Sequence, residues 1–524
     1  MAKPLKVAST LLLILSLCLL SATLAFSHHQ REDPERQLQQ CLERCTQTRQ
    51  EQRHCESQCR EKYEEQGREQ EEGGRGGEEG RGNEQESQSP YIYEEQRFKE
   101  RVRTEGGWVR VSERFGKRSD LLWGVANYRV GVMEVNPYSY VVPNHWDADA
   151  VFFVARGRAT VNLLEEDNRE SVEIRRGDIL RIPAGTTFSI INKENNEKLR
   201  IIKFFNPVAV PGRYRAYFGP GGRDPESFFW SFSHETTSAA FGTPWERLRQ
   251  IFERQDKGAI IKASQQQIQE IGRHSSEGGS WPFGRGSGQR HQSFNLFKKR
   301  ATHSSNRGQL FEADRHDYEH LRDLDLKVSY TNISGGSMTA PFYNSRVTKL
   351  AFIVNGEGYV EMACPHLATR SGGGEQQRET ERGQRGEEEE EEEEQTRRGE
   401  EGREEEEGRV RYQKVRARLR RNTLFVAPAG HPTVIVSTGN DNLEVLCFEV
   451  NAEGNQRYYL TGKNSIYNQM DDTELELAFN QPAREPKQIF RQQRELILLK
   501  GPEGREEEEG RRGPLDSILD FAGF

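Results

Sequence analysis

The sequence states one phrase twice. RRGDILRIPAGTTFSII begins at Arg175, and RRNTLFVAPAGHPTVIV begins at Arg420. Each copy runs β-forming apolar residues into Pro-Ala-Gly (Pro183-Ala184-Gly185, then Pro428-Ala429-Gly430) and out into β-forming residues again. Pro fixes φ and Gly accepts the left-handed conformation, so each copy reads as strand, tight turn, strand. A second matched pair lies upstream: VVPNHWDADAVFFVARGRATV (Val141–Val161) and TAPFYNSRVTKLAFIVNGEGYV (Thr339–Val360). Both carry a Pro near the start and end in a Gly-containing hairpin turn. The second is one residue longer between Pro341 and Gly356 than the first is between Pro143 and Gly157. Two matched blocks per half, in the same order, predict two similar β-domains.

With 524 residues the chain has room for two or three domains. Its start, with Lys3 and Lys6 before an apolar run from about Leu11 to Leu20, reads as a secretory signal over 1–27, cut after Ala25 or Ser27. No later run is apolar enough to predict a membrane span, and secretory entry permits disulfides. Residues 28–60 hold CLERC and CESQC, with Cys41, Cys45, Cys55 and Cys59. A spacing of four places both cysteines of a pair on one helical face. Two antiparallel helices can then be stapled by nested bridges Cys41–Cys59 and Cys45–Cys55, without which so short a piece builds no core. A zinc site is the rival reading, and the secreted, Gln/Arg-rich context favours disulfides.

Residues 61–90 carry almost no apolar groups and are expected to be a disordered linker. A first β-domain with a helical arm is expected over 91–275, a connector over 276–292, a second β-domain with its arm over 293–500, and a tail over 501–524. In the first arm Asp224-Pro225 offers a helix start, with Trp245, Leu248, Ile251 and Phe252 at helical spacing. The second arm carries Leu475, Ala478, Phe479, Ile489 and Phe490. Both stripes are too apolar for lone surface helices, which predicts a homotrimer whose arms lie head-to-tail against the next subunit. Within the second domain, 370–409 includes eight consecutive glutamates, Glu387–Glu394. Like-charge repulsion makes this a solvated loop between strands.

Charged residues are 30 % of the chain, yet the net charge is only −8 because Arg nearly offsets Glu. No segment is uniformly basic, which argues against nucleic acid as a partner. The short basic run Lys414–Arg421 reads as an edge strand.

Beyond the paired Pro-x-Gly blocks, the segments GDILRIPAGTTF, KENNEKL, GPGGRDPESFF, GQLFEAD, PFYNSRVTK, EMACPHL, VAPAGHP and CFEVNAEGN resemble the vicilins, the 7S seed storage globulins of the bicupin superfamily. The resemblance spans roughly 91–500, and the Cys-paired leader resembles the α-hairpins of vicilin-like antimicrobial peptides. It implies a mainly β fold of two tandem cupin (double-stranded β-helix, or jelly-roll) barrels with helical arms, a homotrimer, storage vacuoles of seed, and an allergen bound by IgE. Enzymatic cupins hold a metal with His-x-His, a Glu, and a later His three residues past the Pro-x-Gly glycine. Here His145 is followed by Trp146-Asp147 with Phe188 at the later place, while the second half has Tyr343, Ser345 and Thr433. Neither barrel offers the enzymatic set, and no catalytic residue is expected. The expected function is a nutrient reservoir, whose partners are the proteases of processing and germination. The rivals are a defence protein releasing its Cys-hairpin and a sucrose-binding vicilin relative.

Three further features are testable. Tyr343, Cys364, His366 and His431 are expected to line one cavity of the second barrel, and the resemblance implies copper bound by such a set. Thiolate and imidazole also suit zinc. Alternatively, Cys364 is a buried free thiol or pairs with Cys447. Asn332-Ile333-Ser334 is a glycosylation sequon, expected on an exposed turn. Asn355-Gly356-Glu357 resembles the processing site of legumins, but its place in a hairpin turn argues against cleavage.

Overall fold

The computed structural model describes residues 89–165, 168–276, 291–370 and 412–502. The signal, the four leader cysteines, the linker up to residue 88, the glutamate run and the tail from residue 503 lie outside the described residues.

The duplicated phrases become two barrels with one strand order. In the first, strands Asp178–Ile182, Ala148–Arg156, Leu199–Pro207 and Arg129–Val135 lie side by side. In the second, Leu424–Ala427, Thr348–Asn355, Leu443–Val450 and Leu326–Ile333 repeat that order. A second antiparallel sheet closes each barrel, with Ser139–Trp146 beside Thr187–Asn192 in one and Gly358–Cys364 beside Thr433–Ser437 in the other. The turn that opens each Pro-Ala-Gly phrase is left-handed: Gly177 has φ 87°, and the second copy puts Asn422 there at φ 75°. Asn is among the few residues that tolerate this region.

Each barrel borrows an edge strand from the segment that precedes the other. Ile92–Tyr93, upstream of the first barrel, pairs with Leu424 and Phe425 of the second. Phe294–Asn295, at the start of the second half, pairs with Ile179 and Asp178 of the first.

The strand residues Ala150–Ala155 form an unbroken apolar run because both faces are buried. Phe152 and Phe205 point into the first barrel with Trp146 and Phe188, while Phe153 and Phe204 join a core that also holds Phe352 and Phe448. The Phe204 and Phe448 rings lie 5.5 Å apart, and Phe153 stacks on Tyr330 at 5.6 Å. The two domains therefore share one apolar layer.

The arms differ from expectation in two ways. Asp224-Pro225 forms a turn, with the Gly222 N–H donating to the Pro225 carbonyl at 2.9 Å. The helix His234–Phe241 begins instead at Ser233, whose hydroxyl accepts from Thr236 N–H. The stripe on helix Trp245–Phe252 is mostly used within the arm. Trp245, Leu248 and Phe252 pack with Phe229 and Trp230, leaving Ile251 62 % exposed. In the second arm Leu475 is buried and Phe490 stacks on Tyr467, while Ile489 stays 66 % exposed. Each arm then returns to its own barrel, through Ile260–Lys262 on Ser139–Val141 and Leu498–Lys500 on Ser337–Thr339.

Candidate functional site

The places where enzymatic cupins carry ligands are occupied by packing residues. At the end of strand Ser139–Trp146 the buried residues are Asn144 and Trp146, one residue out of step with His145 and Asp147. His145 stacks on Tyr217 at 5.1 Å, and Asp147 accepts from the Arg215 N–H at 2.6 Å. Phe188, at the later position, packs edge-on against Trp146 at 4.6 Å. The same offset applies in the second barrel. Phe342 and Asn344 are buried, whereas Tyr343 lies on the other face, its ring tilted against that of Tyr458 at 5.1 Å. Successive strand residues face opposite ways, so a register error of one residue moves a side chain to the wrong side. Thr433 spends its hydroxyl on the His431 carbonyl at 3.0 Å.

Tyr343 is thus not part of the set expected with Cys364, and Tyr91 takes its place. The Tyr91 hydroxyl meets the Cys364 sulfur at 3.3 Å in a buried contact, and the Tyr91 ring centroid lies 6.1 Å from that of His431. Burial, together with the Cys364 thiol, pushes the Tyr91 hydroxyl well above its usual value. The borrowed edge strand delivers Tyr91, since Val426 N–H donates to the Tyr91 carbonyl at 2.8 Å. His366 is exposed, with its ring centroid 5.4 Å from that of His431. His431 is buried, which lowers its pKa, and its Nδ1 lies 3.0 Å from the Ala429 carbonyl. A carbonyl only accepts, so Nδ1 carries the proton and Nε2 keeps a lone pair. That Nε2 is buried with no hydrogen-bond partner. In donor type the cluster fits a soft ion, one thiol and two imidazoles beside a phenol. As placed, no three His, Cys, Asp or Glu side chains among the described residues converge to hold an ion.

Residues 128–208 and 294–486 match the family model described as Cupin. The chain is 44 % identical over 530 residues to a vicilin of Juglans regia, covering 97 % of this chain and 98 % of that one. It belongs to the vicilins. As such it is a seed storage globulin of the 7S type. The crystal structure of vicilin from Corylus avellana matches with a TM-score of 0.67 at 42 % identity, covering 79 % of this chain and 100 % of that one. A protein of Macadamia integrifolia named for vicilin-like antimicrobial peptides is 40 % identical, across 84 % of this chain and 64 % of its own length.

Other expected sites of this vicilin are placed as follows. Asn332 is not on an exposed turn: it pairs with Gln309 and Glu444 inside strand Leu326–Ile333, is half-buried, and has a buried, unpartnered Oδ1. The β-branched pattern carries pairing through Ile333, and the turn begins only at Ser334. Cys364 and Cys447 are both buried and free, so the alternative disulfide is not formed. Asn355 and Gly356 do stand at the hairpin between Thr348–Asn355 and Gly358–Cys364, with Gly356 at φ 84°. No helix among the described residues is long and apolar enough to cross a membrane.

Two buried charge sites in this vicilin carry no signature in the sequence. Lys203 is 1 % exposed inside the first barrel, with its ammonium 5.0 Å from the Trp146 ring centroid and 5.5 Å from that of Phe205. Burial pulls its pKa down to about 7. In the second barrel Glu449, 0 % exposed, is held by Lys349 at 2.8 Å and the Ser329 hydroxyl at 2.6 Å, with Arg457 at 3.5 Å. Burial alone would push the Glu449 carboxyl up, but Lys349, Lys327 and Arg457 together hold it well below the usual carboxylate range. Glu312 joins the cluster, bound to Lys327 at 2.6 Å and Arg457 at 2.8 Å.

Proposed function

We propose that this vicilin is a nutrient reservoir of the seed protein storage vacuole, assembled as a homotrimer and without catalytic turnover. The observation that carries this reading is similarity to a storage vicilin along 97 % of the chain. It is joined by enzymatic ligand places filled with Trp146, Phe188, Phe342 and Thr433. The remaining exposed arm residues, Ile251, Phe241, Leu477 and Ile489, supply the apolar surface for a neighbouring subunit. Its partners are then two further subunits, the proteases that process and mobilise it, and, as for an allergen, IgE. The protein should dominate the salt-soluble extract of mature seed. Light scattering at micromolar concentration should return three chain masses, and a monomeric mass would sink the trimer.

A second reading, copper binding, is favoured by the orphan Nε2 of His431. Cys364, His366 and His431 would hold the ion, with Tyr91 rather than Tyr343 as the oxygen neighbour. Such an ion would supply a redox-tolerant bound centre with no general base beside it. Elemental analysis of native trimer should find copper that Cys364→Ser and His431→Ala both remove. Copper that survives both substitutions would place the ion elsewhere, and none in wild type would end the reading.

A further inference from the structure

A cleft of about 880 Å³ opens where the first barrel's strand Asn168–Arg175 meets the segment that begins the second half. That volume falls within the range of roughly 300–1,000 Å³ typical of small-molecule sites. Ile174 and Phe294 give it apolar surface, and charged side chains surround them. The acidic groups are already engaged. Asp178 accepts from the Arg175 N–H at 2.9 Å and the Asn295 amide at 2.6 Å, and Asp317 is bound by Lys299 at 2.5 Å. Glu173 accepts from the Thr160 hydroxyl at 2.5 Å and from Lys193 at 3.1 Å. Arg158 is itself paired with Glu194 at 2.7 Å. Arg175, Lys298 and His316 are different: they line the cleft, are exposed, and have no side-chain partner among the described residues.

The site therefore presents a guanidinium, an ammonium and an imidazole that no side chain among the described residues engages, beside Asp178, whose carboxylate accepts only from neutral donors. A guanidinium fork matches two oxygens of a tetrahedral oxyanion, and an ammonium adds a point charge. Two fixed positive charges suit a group carrying about −1.5 to −2 at neutral pH, the charge of a phosphate monoester. We infer that this cleft binds a small phosphate monoester, with the phosphoryl group at Arg175, Lys298 and His316 and the organic part over Phe294.

Calorimetric titration of the full-length protein with phenyl phosphate tests this, with phenol as control. Saturable binding of phenyl phosphate, about one per chain, is expected, and none of phenol. Arg175→Gln with Lys298→Gln should weaken binding at least about tenfold, since each removes a charged hydrogen bond. The melting temperature should not change, because neither side chain supports the fold. Lys298→Gln alone serves should the double variant misfold. No saturable binding in wild type, equal binding in the variants, or phenol matching phenyl phosphate would overturn the inference. So would binding seen only in a variant with Glu387–Glu394 replaced by Gln and not in wild type, since the native cleft would then take no added phosphate monoester.

Discussion

The two barrels share a strand order but solve the problem of a charge in the interior in opposite ways. On strand Leu199–Pro207 the sequence runs Lys203-Phe204-Phe205, and on the matching strand Leu443–Val450 it runs Cys447-Phe448-Glu449. The middle residues, Phe204 and Phe448, meet across the shared layer. The flanking pair decides each interior. In the first barrel the Lys203 ammonium faces aromatic rings and the Met133 sulfur at 3.9 Å, with no carboxylate beside it among the described residues. In the second, Glu449 replaces the aromatic, and the cross-strand partner Lys349 stands where the first barrel has Ala150 opposite Phe205. A lone buried ammonium sheds its proton more easily, whereas a carboxylate set among cations holds its charge. Duplication preserved the frame and left the electrostatics free to diverge.

The largest test of this contrast is Glu449→Gln. It leaves Lys349, Lys327 and Arg457 around a single buried carboxylate, and breaking such a cluster costs about 3–5 kcal/mol. Chemical denaturation at neutral pH should show that loss. A change below about 1 kcal/mol would mean that water reaches the network. The pH dependence has a definite sign. The folded Glu449 carboxyl is depressed below its ordinary 4.5, so its contribution is present above that pH and is lost as pH falls further. Acid unfolding should be shallower in Glu449→Gln than in wild type.

Lys203→Met should work in the opposite direction. Replacing an unpaired buried charge with an apolar side chain of similar length should stabilise by about 1–3 kcal/mol at neutral pH. Here the folded pKa, about 7, lies below the ordinary 10.5. The unfolded chain therefore binds more protons between those values, wild-type stability climbs as pH rises from 7 to 10.5, and below 7 the penalty is constant. Thermal melts across that window should slope upward in wild type and lose that component in Lys203→Met. Parallel slopes would show that the amine is solvated and break the contrast.

The smallest effect concerns the exchanged edge strands. Tyr91→Phe removes the hydroxyl that meets the Cys364 sulfur but keeps the ring, so a loss of about 0.5–1.5 kcal/mol is expected. Hydrogen exchange at Ile92 and Tyr93 should quicken, while Phe294 and Asn295 on the other barrel stay unchanged. Equal quickening at both edges would mean that the strands loosen together.

Much of the frame is legible in the sequence. Pro-Ala-Gly between β-branched runs and a Gly-centred hairpin after each long strand are local signals, and both halves carry them. The site was less legible. His366 and His431 sit close to the turns of the second half, and their rings lie 5.4 Å apart. Tyr343 faces away from the expected side because alternation along a strand depends on which residue starts it, and the one-residue offset that buries Phe342 and Asn344 has no local signal. Asn332 failed for a related reason: a following Gly-Gly marks where pairing must stop, not how far it extends.

By itself, the sequence determined the duplication, the β-barrel class, the apolar runs whose two faces both need burial, and membership of a storage family. Tertiary structure alone decided which surfaces those runs cover, that Tyr91 rather than Tyr343 stands beside Cys364, and that Lys203 is left without an anion while Glu449 gains three cations. These outcomes join residues separated by tens to hundreds of positions, as with Tyr91 and Cys364, 273 apart. Chain connectivity says nothing about such meetings. They follow from which strand faces close against each other, and burial then sets how strongly each charge is felt.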